Sequence, residues 1–274
     1  DIVIPTSPVQ LGYNNDQAIP QDIRYRGADP EFYRGQLLIK NRRFKDEYQK
    51  IVDLAWAINR TNTQDLYEAT NEAMDVDLWM RHYATQAFLG NWDTYGFRRP
   101  KNLRIYVRPE DGKVIPLYWD ADLANLSDAL IWNGSVSRLD DLRDIPQNLR
   151  LFWGHMWDLT NRSFNSTYMA PWMSYYSELG VGMHSAGQLA SRTSSARSQA
   201  QSAIPRVTFQ ITTNGGNDFT VDQPGTTLAG RGWIDVRNIR LAGSERPLEV
   251  TWTGVNPWQH VVPLAPGGLV ISLE

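Results

Sequence analysis

The sequence predicts an α+β protein in which a mostly helical region carries a β-hairpin and precedes a partial β-sandwich. Three observations predict this architecture. Apolar residues recur at helical spacing over much of 44–179. Two short β-like segments flank an Asp-Gly pair at 111–112, which favours a hairpin turn. After residue 205, short alternating segments are separated by turn residues, which is typical of a small sandwich.

The first third of the chain is predicted to be an irregular lead-in followed by helices. Residues 1–35 hold four prolines and few periodic apolar positions, so we expect them to be irregular. A helix is expected from Phe44 to Asn59, with Trp56 in its buried stripe. Thr63 can cap a second, short helix that runs to Thr70.

The clearest helix of the sequence lies between Asp75 and Gly90. Its apolar residues form one face, and Asp75 and Gly90 are suitable residues for its two ends. Two β-like segments follow, Leu103 to Val107 and Val114 to Tyr118. We therefore expect a helix, a loop and a hairpin in direct succession.

Polar side chains that suit cation and phosphate chemistry surround this hairpin. Asp93 lies in the loop after the helix, Asn102 precedes the first β-like segment, and Asp120 and Asp122 follow the second. Carboxylate and amide oxygens are the ligands that a hard divalent cation takes, together with phosphate. The stretch from 91 to 122 is therefore the predicted functional site.

The rest of the chain divides near residue 204. Helices are expected at Leu149 to Leu159 and Tyr168 to Leu179, and residues 180–204 are expected to form a polar helix that runs into a linker. Residues 205–274 are expected to form a partial sandwich of immunoglobulin-like type. The predicted domains are thus 1–204 and 205–274.

Composition narrows the range of partners. The net charge of −3 offers no electrostatic basis for binding nucleic acid. The absence of cysteine excludes disulfides and thiolate metal sites. We find no signal peptide and no apolar run of membrane-spanning length, although both ends look like cuts in a longer chain. Eleven tryptophans hint at an extracellular or cell-surface protein.

Several of these segments resemble the spore-coat protein H (CotH) kinase family. IRYRGADPEFY at 23–33 resembles the start of the family's helical lobe, and DVDLWMRHYATQAFLGNWD at 75–93 resembles its catalytic helix and loop. NLRIY at 102–106 and IPLYWDAD at 115–122 resemble its asparagine-to-tyrosine strand and its tryptophan-Asp-x-Asp motif. GWIDVRNIRLAG, PLEVTWTG and VPLAPG resemble a module that often follows such domains in bacterial surface proteins.

The resemblance implies an atypical protein-kinase-like fold and phosphorylation of protein serine or threonine with ATP and Mg²⁺. By position, Asp93 matches the catalytic aspartate, and Asn102 and Asp120 match the residues that hold the nucleotide through metal. Asp122 is a further candidate metal ligand. Asp93 and Asn102 are nine positions apart, whereas the corresponding residues of the kinase catalytic loop are about five apart, so the chain departs from the kinase pattern at Asn102.

Other interpretations stay open at this point. Each of these four residues also suits an ordinary loop or turn. A kinase needs a β lobe with a basic residue on the phosphates, and the residues before Asp93 are predicted to form only loop and helices. We therefore expect this chain alone to be inactive, with activity in the intact protein. The main alternative is a catalytically inactive scaffold or adhesion protein that contacts other surface or appendage proteins. A third is transfer of an adenylyl or glutamyl group.

Overall fold

The computed structural model describes residues 2–4, 22–96, 101–122, 124, 138–182, 184–264, 267 and 270–273. Two parts of the predicted architecture lie outside the described residues. They are residues 5–21, which the sequence predicts to be irregular, and Arg98 and Arg99 in the loop after Asp93. No helix in the described ranges is both long enough and apolar enough to cross a membrane, as the sequence predicted.

A four-stranded antiparallel sheet brings the start of the chain together with the hairpin at 104–117. Its strands are β1 (Ile2–Ile4), β2 (Leu38–Ile39), β3 (Arg104–Val107) and β4 (Val114–Leu117), in the order β2-β1-β3-β4. The prediction of an irregular lead-in, with only loop and helices before Asp93, is therefore wrong for β1, β2 and a short helix α1 (Glu31–Arg34). Strands of two or three residues are too short to show an alternation of apolar and polar residues in the sequence.

Three helices, α2 (Gln49–Ile58), α3 (Thr63–Ala73) and α4 (Val76–Leu89), form the first part of the helical body. α2 begins later than predicted because Arg42 and Asp46 are left-handed and enclose a 3₁₀ turn at Arg43–Lys45. Trp56, predicted to be buried, is exposed. Asn62 rather than Thr63 caps α3, accepting hydrogen bonds from two backbone N–H groups at 2.8 and 3.1 Å.

Four further helices complete the helical body: α5 (Leu139–Asp144), α6 (Pro146–Arg162), α7 (Ser166–Glu178) and α8 (Ala186–Ala203). α6 packs against α4 and α8. The sequence predicts a polar helix at 180–204 that runs into a linker. The helix is present as α8, but it packs against the core instead of leading into a solvated linker. α8 buries Leu189, Arg192, Ala196 and Ala200 in the main core. Small alanines permit this close approach and give little hydrophobic signal in a sequence.

The last part of the chain forms a second four-stranded antiparallel sheet, in the order β5-β6-β8-β7. Its strands are β5 (Gln210–Ile211), β6 (Gly225–Arg231), β7 (Thr251–Trp252) and β8 (Pro257–Pro263), over a small core around Leu228, Ile239 and Trp258. The alternating run at 232–241 was expected to be a strand, yet within the described residues it forms a turn and isolated bridges. An immunoglobulin-like sandwich stays a prediction.

The β region packs directly on the helical body. Trp233 and Ile234 belong to the main core, and the indole N–H of Trp233 donates to the Ile204 carbonyl at 2.7 Å. The guanidinium of Arg150 on α6 donates four hydrogen bonds to carbonyls of the β region. The segment at 204 is thus a packed junction, because these contacts join residues that are far apart in the sequence.

Candidate active site

The candidate site begins at the C-terminal end of α4. Asp75 caps the start of this helix with a 3.1 Å bond to the Leu78 N–H, and Gly90 ends it in the left-handed conformation, as the sequence predicted. The next residues, Asn91 to Gly96, form a loop that is almost wholly buried. Asp93 therefore lies on a loop held against the core rather than on a solvated surface turn.

A buried arginine from α8 supports this end of α4. Arg192 donates from Nε to the Phe88 carbonyl at 2.7 Å and from Nη2 to the Ala87 carbonyl at 2.6 Å. The last carbonyls of a helix lack partners within the helix and carry partial negative charge, so a cation stabilises them. Sequence analysis missed Arg192, since its only local signal was an arginine in a stretch rich in serine and alanine.

Asp93 is fixed through both its backbone and its side chain. Asn102 donates from Nδ2 to the Asp93 carbonyl at 2.8 Å, and the Lys101 ammonium lies 3.8 Å from the Asp93 carboxylate. The side chains of Asp93 and Lys101 are each only 11% exposed. Because solvent screening is weak in such surroundings, the lysine is an effective positive partner for the carboxylate. The sequence did not single out Lys101 as a partner of Asp93.

Asp120 is connected to the same loop through Asn91. The buried Asn91 side chain donates from Nδ2 to the Asp120 carbonyl at 3.3 Å and to Gln86 Oε1 at 3.0 Å. Asp120 and Asn102 are both left-handed, with φ of 55° and 53°. Asparagine and aspartate tolerate this conformation better than most residues. Two separate bonds to backbone carbonyls thus link the loop at 91–93 to both ends of the hairpin, one from Asn102 to Asp93 and one from Asn91 to Asp120.

Asp120 and Asp122 follow β4, and the side chains of both are exposed. β3 and β4 pair with Arg104 opposite Leu117, so the segments at this end of the hairpin carry Asn102 on one side and Asp120 on the other. Asn102 and Asp120 therefore lie at the same end of the hairpin, with Asp122 two residues further along the chain.

The start of α4 is joined to the turn end of the hairpin. The Trp79 indole donates to the Val114 carbonyl at 2.9 Å, and the Asp75 N–H donates to the same carbonyl at 3.2 Å. At this same end, where Val107 pairs with Val114, Arg108 Nη1 pairs with the Asp75 carboxylate at 2.9 Å. These bonds hold the hairpin against the helix at the end remote from Asp93 and Asp120.

The described part of the loop ends at Gly96, which closely approaches a buried ring. A Cβ on Gly96 would clash with Cε1 of Tyr83, and Gly96 has φ of +87°. Next to it, the hydroxyl of Tyr95 accepts a hydrogen bond from the Ile23 N–H at 3.3 Å. Burial raises the pKa of Tyr95 well above its usual value, so its hydroxyl stays protonated.

A cation that the sequence analysis did not select lies beside Asp120. The Arg104 guanidinium lies over the indole ring of Trp119. Burial lowers the pKa of Arg104, and the negative charge of Asp120 opposes that shift. The site edge therefore combines two exposed carboxylates with a positive group and a half-exposed aromatic ring.

The donor set fits Mg²⁺ but does not form a complete cage. The described part of the chain holds no group of three or more His, Cys, Asp and Glu side chains arranged to bind a metal. Mg²⁺ is usually held by one or two carboxylates, with water and phosphate oxygens as the remaining ligands. Asp120 and Asp122 can supply such carboxylates, and Asn102 keeps its amide oxygen as an acceptor while Nδ2 is bound to Asp93.

An aspartate loop bonded to a hairpin that carries an amide and an Asp-x-Asp pair is compatible with a kinase-like protein. The family model described as CotH kinase protein matches residues 11–177. The chain therefore belongs to the CotH kinase family, as its sequence motifs indicated. No curated protein matches the chain.

Proposed function

We propose that the intact protein transfers the γ-phosphoryl group of ATP to a serine or threonine hydroxyl of a protein substrate. The observation that supports this most directly is that the loop of Asp93 is bonded to the hairpin on both sides, by Asn102 at the Asp93 carbonyl and by Asn91 at the Asp120 carbonyl. Phosphoryl transfer depends mainly on positioning and on electrostatic stabilisation. A site whose carboxylates are held by a rigid helix and hairpin suits that requirement.

Each residue has a role in this proposal. Asp93 orients the substrate hydroxyl and accepts its proton, while Lys101 balances the charge of the carboxylate. Asn102, Asp120 and Asp122 would hold Mg²⁺, which when bound neutralises charge on the phosphates. Asn102 also fixes the Asp93 backbone through its 2.8 Å bond. The nine-residue spacing from Asp93 to Asn102 is thus compatible with a direct contact between them.

The test uses substitutions at two site residues in the full-length protein. Asp93→Ala and Asp120→Ala should each lower the rate of phosphate incorporation from labelled ATP at least about 100-fold, the scale at which single catalytic groups act. Asp65→Ala is the matched control, because Asp65 is an exposed acid on α3. Unchanged phosphorylation in both site variants would contradict the proposal. Mass spectrometry of the modified protein distinguishes a phosphoryl group from an adenylyl or glutamyl group.

A catalytically inactive scaffold is the second candidate, and one observation favours it. The Asp93 side chain is largely buried beside Lys101, which limits access of a substrate hydroxyl to it. A scaffold would not require ATP. Binding of Mg²⁺ and ATP to the native state would raise the melting temperature of the full-length protein, whereas a scaffold that does not bind nucleotide would show no shift.

The cellular location of the protein is also a proposal. The tryptophan-rich composition is the reason to place it outside the cell or on its surface. Accessibility of the protein to protease in intact cells would check this. An extracellular location would also restrict the protein substrates and surface partners that the kinase can meet.

A further inference from the structure

Helix α7 exposes a row of aromatic and aliphatic side chains. We call this row the α7 stripe. It comprises residues 40–60% exposed: Tyr168, Trp172, Tyr175, Tyr176 and Leu179. These positions follow the i, i+4, i+7, i+8, i+11 pattern, so they lie within an arc of roughly 100° on the helix. Apolar side chains that share one face of a helix normally face a packing partner.

Helix α7 packs few of its side chains against the rest of the protein. No residue of α7 is buried, and its contribution to the core consists of the partly buried Met169 and Met173. Pro171 lies inside the helix and supplies no backbone N–H. Isolated helices of this length are marginal in water, and helices in proteins depend on packing of an apolar face. A partner on the stripe would supply the missing contacts.

We propose that the α7 stripe is the contact surface of a homodimer, in which it packs against the same stripe of a second copy of this chain. The helix from Ser166 to Glu178 has no lysine or arginine, and Glu178 is its only acid. A nearly uncharged surface can meet its own copy without repulsion between like charges. Tyrosine, tryptophan and methionine are enriched in protein interfaces, and twofold dimers are the most common assemblies.

The area of the stripe agrees with this arrangement. The exposed fractions of its side chains, with Val181 beside them, amount to roughly 600 Å² per copy. Two copies would bury about 1,200 Å², which is the lower limit for a specific interface. A membrane surface fits less well, because interfacial helices carry lysine and arginine on their polar face.

The experiment measures the mass of the chain in solution by light scattering after size exclusion, at about 50 µM, well above a micromolar dissociation constant. We expect a mass twice that of the single chain. The double variant Trp172→Ser/Tyr175→Ser should weaken the dimer at least tenfold. The matched control is Phe44→Ser, since Phe44 is 85% exposed and lies outside the stripe, and it should leave the dimer intact. Far-ultraviolet circular dichroism verifies that each variant is folded.

A second measurement maps the contact. The chain has no cysteine, so Tyr175→Cys introduces a single thiol. Mild oxidation should produce a disulfide-linked dimer of this variant but not of Phe44→Cys. A wild-type chain that is monomeric at this concentration would overturn the proposal, as would a dimer that the double variant leaves unchanged. Sedimentation of the wild type, but not of the double variant, with phosphatidylcholine vesicles would reassign the stripe to membranes.

Discussion

Removing the guanidinium of Arg150 should weaken the attachment of the β region to the helical body and lower the free energy of unfolding. Arg150 is 3% exposed, and its two Nη atoms donate to four carbonyls of the β region, at Gly232, Trp233, Val236 and Val255, over 2.6–3.0 Å. Burial lowers its pKa to about 9, which is still above neutral pH, so the group remains a cation. The proposed change is Arg150→Met, which keeps an apolar stem against Trp252.

The magnitude follows from the burial of the acceptors and from the donors that they keep. The bonds to Gly232 and Trp233 are buried, whereas those to Val236 and Val255 are partly buried, so water can replace the arginine at the second pair. The Trp233 carbonyl also keeps the Val236 N–H as a donor at 3.0 Å, which leaves Gly232 as the buried acceptor that loses its donor. A buried carbonyl left without a partner costs about 1–3 kcal/mol, so we expect a loss of about 2 kcal/mol in the free energy of unfolding.

Urea denaturation followed by circular dichroism measures this loss. With an m-value of about 3 kcal/mol per molar, the midpoint should fall by about 0.7 M. The matched control is Arg162→Met on the same helix, because Arg162 is exposed and should cost less than about 1 kcal/mol. Proteolysis near residues 204–209 should also accelerate in Arg150→Met. A loss equal to that of the control would refute the view that this arginine joins the two parts.

Three further changes test the supports of the site. Gly96→Ala should cost about 2 kcal/mol or more and lower kinase activity, because the new methyl group meets the buried Tyr83 ring at a positive φ; thermal melting and phosphate incorporation measure both effects. Arg192→Met leaves the last carbonyls of α4 without their cation, so it should cost about 2–4 kcal/mol and raise hydrogen exchange in the Asp93 loop, whereas an unchanged exchange pattern would contradict its role. Asp77→Asn tests a pH effect: the hydrogen bond from His155 lowers the pKa of Asp77 from its usual 3.8, so the stability that Asp77 contributes is present above pH 3.8 and is lost as the pH falls through the lower value. The difference in unfolding free energy between wild type and Asp77→Asn should shrink over that acid range, and a difference independent of pH would be the contrary result.

The frame of the site depends on a small number of connections from distant parts of the chain. Arg192 from α8 holds the end of α4, and Asn91 joins the loop to the Asp120 carbonyl. The Trp79 indole joins α4 to the hairpin. These side chains do not themselves carry the proposed chemistry. They hold in place the helix, the loop and the hairpin that carry the proposed site residues.

Predictions from the sequence succeeded where the decisive interactions are local. The bounds of α4 were predicted because Asp75 bonds within its own first turn and Gly90 has the conformation that ends a helix. The hairpin was predicted because its turn chemistry lies between two strands that pair with each other. Membership of the CotH kinase family was predicted because its motifs are contiguous runs of residues.

The sequence by itself determined most helices of the helical body and the hairpin, since each depends on neighbours within a few positions. The roles of the four candidate residues stay predictions. Only the tertiary structure decided that β1 adds to the hairpin, that α8 is packed rather than a linker, and that Arg150 binds the β region to α6. These features depend on contacts between residues that are up to about a hundred positions apart. Such contacts have no period or local pattern, because which residues meet is set by how the finished elements pack.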